Sequence, residues 1–338
     1  MKRLLYLGYY LKNLDKPKYK KFLDYVSKKE NKSKTSLRAD IISSALKYNV
    51  SILEYFQFGF YKLSPGERKK YAGTGYMYEY QLQMNPKDKR NILDDKRLFY
   101  KQYKEFVLHA NASLDELKAD NSLAEKLLNS VSGKVVLKVS DGKCGAQVII
   151  VKSAEHTPAS LIQLMEKEGY DLAEEYIIQH PDIMALSPSA VNTVRIFTQL
   201  NEKDEVELLG CRLRISINSH VDNLAAGNIA APIDDATGII SGPGVYSDIT
   251  KSPESVHPVT GVKITGFQIP FWRETIEMIK KAAKAHPENR SIGWDIVITD
   301  KGPGLIEGNH DWCKLVWQLP VNKGMKPILE KHLSLLQK

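Results

Sequence analysis

The segment at residues 291–310 constrains the fold more than any other stretch of the chain. Two short apolar runs, residues 296–298 and 305–306, flank a turn rich in glycine and proline at residues 300–304. Apolar runs separated by such a turn are typical of two antiparallel strands. The sequence therefore predicts a β-hairpin over this segment.

Oxygen-bearing side chains are concentrated on this hairpin. Asp295 opens the first apolar run, and Glu307 and Asn309 follow the second. Alternate residues of a strand share a face, so a hairpin that pairs Asp295 near Glu307 and Asn309 brings the three side chains together. Magnesium in proteins takes one or two carboxylates along with nucleotide phosphates. The residues alone also allow a solvated hairpin that carries a few acids.

Length and composition indicate a globular protein of two or three lobes. The chain has 338 residues, of which 43% are hydrophobic and 26% are charged. The first twelve residues resemble a signal peptide only faintly, because Gly8, three tyrosines and Lys12 interrupt the apolar run, and an amphipathic helix is expected instead. Three well-separated cysteines and the lack of an apolar run of membrane-spanning length predict a cytoplasmic protein.

The net charge of +8 indicates an anionic partner or a solvated lysine-rich face. The lysines are scattered, and no nucleic-acid-binding motif accompanies them, so nucleic acid is not expected as a partner. A solvated face is the expectation. Weak attraction to acidic polysaccharide or to anionic lipid, with the protein peripheral to the cytoplasmic face of the membrane, is the alternative.

The first part of the chain is expected to be mostly helical. Apolar residues recur at helical spacing through residues 1–90, and Ser51 with Glu54 forms a predicted capping box. A polar break at residues 85–90 suggests a boundary. Residues 91–132 then lead into the core, with a helix expected from Asp94 or Asp95 to Leu108 and Lys96 in its first turn.

Residues 133–180 are expected to form a small lobe. A strand ends near Lys138, a loop at residues 140–145 contains Ser140, Gly142 and Gly145, and a return strand follows. Glycines let backbone N–H groups approach a phosphate, although an ordinary hairpin has the same pattern. A helix at residues 158–168 and a strand at 172–180 complete the lobe. That last strand either lines a nucleotide pocket or is simply buried.

Residues 181–338 are expected to form a larger lobe. Arg195 lies on one predicted strand, and Arg212 and Arg214 lie on one face of another. Arginines in such positions suit bidentate binding of phosphate or carboxylate, or else an exposed sheet face. The small and polar loop at residues 221–228 permits close approach to a ligand. A long irregular loop at residues 242–266 is expected to be functional or mobile, and helices are expected at residues 270–286 and 327–337.

The order of these features resembles the ATP-grasp superfamily. From about Leu93 the chain carries a series of short motifs in a fixed order. These are a helix-initial lysine, a strand lysine with a glycine loop, Glu-Glu-Tyr-Ile, Asn-Thr-x-Arg, Asp-Asn-x-x-x-Gly and finally Asp with Glu-x-Asn. The most similar branch is the sugar-transfer-associated ATP-grasp branch, which is related to α-L-glutamate ligases. The resemblance implies an α+β protein in which two α/β lobes grip ATP, behind a mostly helical N-terminal region. Superfamily members are often dimers, so a homodimer is one expectation.

The resemblance implies a nucleotide site in the small lobe. Lys96 and Lys138 would contact phosphates, and the loop with Ser140, Gly142 and Gly145 would close over them. The adenine would be lined by Glu174, Glu175, Tyr176 and Ile177. The ribose would be bound by Asp182, the only acid in range, with Gln179 or His180 as stand-ins.

The resemblance also implies a catalytic centre in the large lobe. Asp295, Glu307 and Asn309 would hold Mg²⁺, with Mn²⁺ as an alternative. Arg195 with Arg212 or Arg214 would stabilise the transferring phosphoryl group. Asn223 and Gly227 would edge the acceptor site. The chain departs from the pattern at Gly293, where many ATP-grasp ligases carry an arginine, and Arg195 and Arg212 would then cover that charge.

These roles imply an ATP-dependent carboxylate–amine ligase that acts through an acyl phosphate. The branch suggests an amino acid or amine joined to a uronic acid, nucleotide sugar or glycan in surface polysaccharide biosynthesis. Positioning and charge neutralisation suffice for this chemistry, and no protein nucleophile is required. The alternatives are a kinase that phosphorylates a sugar hydroxyl on the same fold, and a polyanion-binding protein without turnover.

Overall fold

A computed structural model describes residues 2–142 and 148–336 of the chain. Among these residues the helices are α1 Lys2–Lys12, α2 Lys16–Lys29, α3 Lys34–Tyr48, α4 Ile52–Gln57, α5 Pro65–Arg68, α6 Thr74–Met84, α7 Asn91–Asp94, α8 Lys96–Gln102, α9 Leu114–Ala119, α10 Asn121–Leu128, α11 Pro158–Glu168, α12 Pro181–Leu186, α13 Trp272–Ala285, α14 Lys314–Gln318 and α15 Lys326–Leu336. The strands are β1 Asn111–Ser113, β2 Lys134–Lys138, β3 Val148–Lys152, β4 Leu172–Glu175, β5 Val194–Leu200, β6 Val206–Ile215, β7 Ile229–Ile233, β8 Ser291–Thr299 and β9 Gly302–Asn309. None of the described helices is long and apolar enough to cross a bilayer.

The N-terminal region is helical, as predicted, and has its own aromatic core. Buried rings of Phe22, Phe56 and Phe60 pack together there. The predicted capping box at Ser51 and Glu54 is confirmed, because each side chain accepts the backbone N–H of the other residue. The start of α4 is therefore satisfied by its own side chains.

The small lobe is a four-stranded antiparallel sheet in the order β1-β4-β2-β3. Apolar side chains of α9, α10 and α11 pack against it around Leu137 and Leu161. The last strand was predicted to run to His180 but ends at Glu175. The partner strand β2 begins at Lys134, whose carbonyl accepts the N–H of Tyr176, so β2 offers no further pairing to the residues beyond.

The large lobe is a five-stranded antiparallel sheet in the order β7-β6-β5-β8-β9. The predicted hairpin is confirmed as β8 and β9, although its turn is shorter than expected because β9 resumes at Gly302. The register shifts after the pair of Asp295 with Glu307, so Ile306 is an extra residue on β9. Such β-bulges often lie next to active sites, where they redirect side chains.

The helices around this sheet follow the sequence expectations in two places and depart from them in one. α13 and α15 occupy the two predicted C-terminal helical stretches. The helix predicted to reach Leu108 ends instead at Gln102, and a separate short turn follows at Lys104–Phe106. The start is as expected, since the Asp95 carboxylate accepts the N–H groups of Arg97 and Leu98. Lys96 is therefore the first residue of α8.

Candidate functional site

A cleft of about 520 Å³ lies between the two sheets, and most of the predicted site residues line it. From the small lobe and α8 these are Lys96, Lys138, Gly142, Glu174, Glu175, Tyr176 and Ile177. From the large lobe they are Arg195, Arg214, Asn223, Asp295, Glu307 and Asn309. Gly145 falls outside the described residues. The remaining predicted residues, Ser140, Asp182 and Arg212, are not among those lining the cleft.

The three predicted metal ligands converge at the floor of this cleft. Asp295 on β8 pairs directly with Glu307 on β9, and Gly293 pairs with Asn309 in the same ladder. The Asn309 amide donates a hydrogen bond of 3.2 Å to Glu307 Oε1. Asp295, Glu307 and Asn309 therefore present their oxygen atoms to one space, as the alternation of the hairpin predicts.

Two arginines from neighbouring strands converge on the Asp295 carboxylate. Arg195 on β5 donates to both of its oxygens, one of them at 2.6 Å. Arg214 on β6 donates to Asp295 Oδ2 at 2.8 Å and also lies 2.5 Å from the Asp222 carboxylate. All four side chains are nearly completely shielded from solvent. The result is a buried chain of alternating charges, from Arg195 through Asp295 and Arg214 to Asp222.

Asp222 fixes the far end of this charged chain. Its Oδ2 accepts hydrogen bonds from the backbone N–H and the hydroxyl of Thr193, at 2.9 and 2.5 Å. Burial raises the pKa of the Asp222 carboxyl, while the charge of Arg214 opposes that rise. Sequence reasoning did not assign a role to Asp222. The only signal was its place beside Asn223 in a loop that already looked suited to ligand approach.

The two paired carboxyl groups of the hairpin differ in their titration. Burial alone would raise the pKa of Asp295, but Arg195 and Arg214 outweigh it and hold that pKa well below its ordinary value. Glu307 has no comparable pair, and burial together with the charge of Asp295 raises its pKa. Asp295 is thus held ionised, whereas the charges of Lys96 and Arg195 do not offset the effect of burial and of Asp295 on the pKa of Glu307.

This imbalance fits a bound divalent cation. In the described part of the chain no group of three His, Cys, Asp or Glu side chains is arranged to hold a metal. The hairpin instead offers two carboxylates and one amide oxygen, a hard-oxygen set that leaves positions for phosphate oxygens. A cation beside Glu307 would add to the charges of Lys96 and Arg195, which do not by themselves offset the burial of this carboxyl group. The residues present therefore fit Mg²⁺ bound together with a nucleotide.

Arg212 does not take the role expected for it. It is paired with Arg195 in the β5–β6 register, but its guanidinium turns away from the cleft and donates to the backbone carbonyls of Trp317 and Cys211. Burial lowers its pKa to about 10. Arg212 anchors α14 to the sheet, and the second arginine of the site is Arg214.

The small-lobe lysine Lys138 is bound to the buried carboxylate of Glu174. The Lys138 ammonium lies 2.5 Å from Glu174 Oε2, and the Tyr100 hydroxyl donates to Oε1 at 2.8 Å. Burial would raise the pKa of Glu174, but the charge of Lys138 prevails, with a further contribution from His109, and lowers that pKa to about 2. Lys138 is thereby held at the edge of the cleft, where a phosphate would meet it.

The other lysine, Lys96, is in contact with the start of the glycine loop. Its ammonium donates to the carbonyl of Gly142 at 2.7 Å and lies 3.4 Å from that of Ser140. Ser140 itself is turned away from the cleft, because its hydroxyl and backbone N–H both donate to Asp171 at 2.7 Å. The Ser140 hydroxyl therefore anchors the base of the loop instead of facing the phosphates.

The expected ribose ligand is not brought into the cleft. Asp182 lies in the first turn of α12 with its side chain largely exposed. The stand-in Gln179 is buried and bonded to the backbone of Ala190 and Asn192. The side chain of the other stand-in, His180, caps α12 by accepting the N–H of Asp182. Because β4 ends early, the chain turns into α12 and directs these side chains elsewhere.

An apolar wall in the small lobe completes the upper part of the cleft. Val136, Val148 and Ile150 from β2 and β3 line it, opposite the segment with Tyr176 and Ile177. Ile150 is half exposed although it lies within a strand. A flat apolar slot of this kind suits a purine base. Of the residues around this apolar wall, the sequence predicted only the segment Glu174–Ile177 as part of the adenine site.

The glycine that departs from the family pattern is required by local packing. A Cβ atom at Gly293 would lie 2.5 Å from the Cβ of Trp312, closer than real contacts allow. Trp312 is buried and lines the cleft next to the hairpin. The space that an arginine at residue 293 would occupy is filled by this indole. Positive charge at Asp295 comes instead from Arg195 and Arg214.

A second cavity, of about 350 Å³, lies where the N-terminal region meets the large lobe. Lys18, Lys21 and Lys251 line it together with Gly227, one of the two residues expected at the acceptor site. Lys21 is paired with Asp248 at 2.6 Å. The other acceptor-site residue, Asn223, lines the main cleft and accepts a hydrogen bond of 3.2 Å from Arg214. The short turn that begins at Asn223 thus separates the two cavities.

Comparison with known proteins gives a family match over most of the chain. The model of the family described as sugar-transfer associated ATP-grasp matches residues 76–333. A search of curated proteins gave no match. Solved structures that resemble the chain include the ATP-grasp ligase PsnB complexed with a minimal precursor, at 12% identity over 75% of this chain and 63% of PsnB, with a TM-score of 0.44.

Two further structures resemble the chain to a similar degree. L-amino acid ligase from Bacillus licheniformis is 14% identical, over 72% of this chain and 48% of its own, with a TM-score of 0.42. N5-Carboxyaminoimidazole synthetase from Staphylococcus aureus, complexed with ADP, is 9% identical, over 70% and 52%, with a TM-score of 0.42. The chain therefore spans less than two thirds of the length of each of these three structures.

Proposed function

The chain belongs to the sugar-transfer associated ATP-grasp family, and on that premise we propose that it is an ATP- and Mg²⁺-dependent carboxylate–amine ligase. The observation that carries the proposal is the meeting of Asp295, Glu307 and Asn309 with Arg195 and Arg214 on the floor of the cleft. That arrangement combines an oxygen-ligand set for a cation with two fixed guanidinium groups. A bound cation and fixed guanidinium groups are both suited to stabilise the negative charge of a phosphoryl group during its transfer.

The proposed reaction has two steps. A carboxylate oxygen of the acceptor attacks the γ-phosphorus of ATP, so that an acyl phosphate forms and ADP leaves. The nitrogen of an amine then attacks the acyl carbon, phosphate leaves with its bonding electrons, and the nitrogen gives up a proton. One amide, one ADP and one phosphate result. Neither step requires a nucleophile from the protein, and catalysis consists of orientation and charge neutralisation.

Each group on the cleft wall has a part in this scheme. Lys96 and Lys138 bind the phosphates of ATP from the small-lobe side. Asp295, Glu307 and Asn309 would hold magnesium, which would supply positive charge to neutralise the phosphate oxygens. Arg195 and Arg214 stabilise the charge that develops on the transferring group, and Asp222 positions Arg214 for that task. The apolar wall of the small lobe takes the adenine.

The proposed acceptor carries a carboxylate on or near a sugar. A uronic acid, a nucleotide sugar bearing a uronate, or a glycan would place its carboxylate beside Arg214 and Asn223. The second cavity is lined by Lys18, Lys21 and Lys251 against Asp15 and Asp248, and this excess of one positive charge gives only weak support for further negative charge on the acceptor. The amine is an amino acid or a similar small amine. Such a ligase would serve surface polysaccharide biosynthesis from the cytoplasm.

The test is to measure the release of ADP and of free phosphate separately. The protein would receive magnesium-ATP and a panel of uronic acids and uronate-bearing nucleotide sugars, each with pooled amino acids. We expect both products only when an acid and an amine are present together. The Asp295→Asn variant gives the background, and Asp300→Asn, which removes an exposed acid from the hairpin turn, is the matched control.

Two other results would change the assignment. ADP without free phosphate would show that the phosphoryl group stays on the acceptor, which identifies a kinase. Absence of turnover across the panel, combined with ATP binding that is independent of magnesium, would contradict an enzyme of this class. Tight polyanion binding without any magnesium requirement would then favour a binding protein.

A further inference from the structure

Helix α1 presents an apolar face to solvent. Leu5 is 71% exposed and Leu4 is 63% exposed, and Tyr9 and Leu11 are also largely exposed. At 100° per residue these four side chains lie on one side of the helix. Single exposed apolar residues are common on protein surfaces, but four on an 11-residue helix are not expected without a partner. We call Leu4, Leu5, Tyr9 and Leu11 the α1 face.

The orientation of this helix is fixed by contacts on its opposite side. Tyr10 is buried and donates a hydrogen bond of 3.1 Å to Asn49 Oδ1. The Tyr6 hydroxyl donates to Glu79 on α6 at 2.9 Å, and Lys2 pairs with the same carboxylate at 3.1 Å. The helix therefore cannot roll its leucines inward without breaking these contacts. Two further exposed side chains, Tyr78 and Leu82, lie on α6 alongside.

Cations lie at the C-terminal end of the α1 face. Lys12 is the last residue of the helix and Lys16 lies just beyond, and both are exposed. Lys2 is instead paired with Glu79, and Arg3 lies on the side of Tyr10. The helix contains no acidic residue. Apolar residues with tyrosine on one face and flanking lysine or arginine are the composition of helices that lie in the plane of a membrane interface. The net charge of +8 also favours attraction of the protein to a negatively charged lipid surface.

We propose that the α1 face docks on the surface of an anionic lipid bilayer, with Leu4, Leu5, Tyr9 and Leu11 in the interfacial region and Lys12 and Lys16 at the lipid headgroups. Charge complementarity selects this occupant. A second copy of the chain would bring the same cations against each other in a symmetric contact, which like charges oppose. The proposal goes beyond the ligase reaction and does not depend on it.

The test is flotation of the whole protein with lipid vesicles of two compositions. One consists of phosphatidylcholine alone, and the other of equal parts phosphatidylcholine and phosphatidylglycerol. We expect binding to the anionic vesicles, weakened by added salt, and little binding to the neutral ones. Equal binding to both, or binding to neither, would overturn the proposal.

Two sets of variants separate the apolar and the charged contributions. Leu4→Gln with Leu5→Gln should weaken vesicle binding about tenfold or more, whereas Val131→Gln, at a 93% exposed position in the small lobe, should not change it. Lys12→Gln and Lys16→Gln should each weaken it by about fivefold. The matched control is Lys280→Gln, Lys281→Gln and Lys284→Gln on the exposed side of α13, which should have little effect.

Sedimentation and thermal unfolding complete the test. The Leu4→Gln/Leu5→Gln variant should unfold at the temperature of the unaltered protein, because both side chains are already exposed. The mass in solution should be the same for both proteins. If the unaltered protein forms an oligomer and the Leu4→Gln/Leu5→Gln variant is a monomer, the α1 face binds a second copy of the chain. That result would overturn the membrane proposal.

Discussion

Asp295 and Glu307 face each other across β8 and β9, yet only Asp295 has arginine partners. Arg195 and Arg214 hold Asp295 ionised, while burial and the charge of Asp295 raise the pKa of Glu307. The arginines neutralise Asp295, and a cation bound between the two carboxylates would add positive charge beside Glu307. This asymmetry is the basis of the proposed magnesium site.

Removing the charge of Asp295 should harm folding as well as activity. In Asp295→Asn, Arg195 and Arg214 lose the carboxylate that they share in the protein interior. Breaking a buried ion pair from one side costs about 3–5 kcal/mol, so the free energy of unfolding should fall by that order. Urea denaturation measures it. A variant as stable as the unaltered protein would show that the two arginines are compensated in another way.

Substitutions of Arg212 and Arg214 should both lower stability, but only that of Arg214 should lower turnover strongly. Arg212→Met leaves the Trp317 carbonyl without its donor, so it should cost about 2 kcal/mol or more of stability while the KM for ATP stays unchanged. Arg214→Met should lower kcat by about 100- to 1,000-fold, because it removes a group aimed at the transferring phosphoryl. Steady-state kinetics and denaturation of both variants provide the comparison. Equal losses of kcat would contradict the assignment.

Gly293 should not tolerate any side chain. The Cβ of Gly293→Ala would meet the Cβ of Trp312, so the variant should lose about 1–3 kcal/mol of stability. Gly66→Ala is the matched control, because a Cβ there meets nothing closer than 4.0 Å. Thermal unfolding of the two variants is the measurement. An unaltered melting temperature for Gly293→Ala would mean that the indole has room to move.

Glu174 should contribute to stability in a defined range of pH. Its pKa is lowered from 4.5 to about 2 in the folded protein, chiefly because the charge of Lys138 outweighs the effect of burial. The contribution is present above the ordinary pKa and is lost as the pH falls from about 4.5 to 2. The contribution of Glu174 to the free energy of unfolding is on the order of 3 kcal/mol.

The Glu174→Gln variant tests this directly. Without the titrating group, its free energy of unfolding should fall less steeply across that range than that of the unaltered protein. Glu155→Gln, at an exposed position in the same lobe, should leave the slope unchanged. Identical acid profiles for Glu174→Gln and the unaltered protein would indicate that the Lys138 pair does not lower the pKa of Glu174.

Local sequence patterns predicted the hairpin and the convergence of Asp295, Glu307 and Asn309 on it. Period-two alternation fixes which side chains of β8 and β9 share a face, and a glycine-rich turn fixes their pairing. The capping box at Ser51 and the first residue of α8 likewise depend on neighbours within a few positions. These features could be predicted because all the residues that determine them lie close together in the chain.

The features that depend on distant contacts could not be predicted in this way. Arg212 and Arg214 share a strand face, and only the Trp317 carbonyl of α14 determines that Arg212 turns away. Ser140 is held by Asp171, which lies 31 residues further along the chain. Asp182 was chosen by its position in the sequence, but the early end of β4 removes it from the cleft. Asp222 was missed because its importance lies in its contact with Arg214.

The central claim is that the β8–β9 hairpin holds the magnesium that accompanies ATP. Titration calorimetry of ATP binding, with and without Mg²⁺, tests it most directly when the unaltered protein is compared with Glu307→Gln. This substitution preserves the shape of the side chain and removes the carboxyl group whose pKa is raised by burial. We expect Mg²⁺ to tighten ATP binding in the unaltered protein and to have little effect in Glu307→Gln. ATP binding that is equally tight with and without Mg²⁺, or a magnesium effect that survives in Glu307→Gln, would contradict the account.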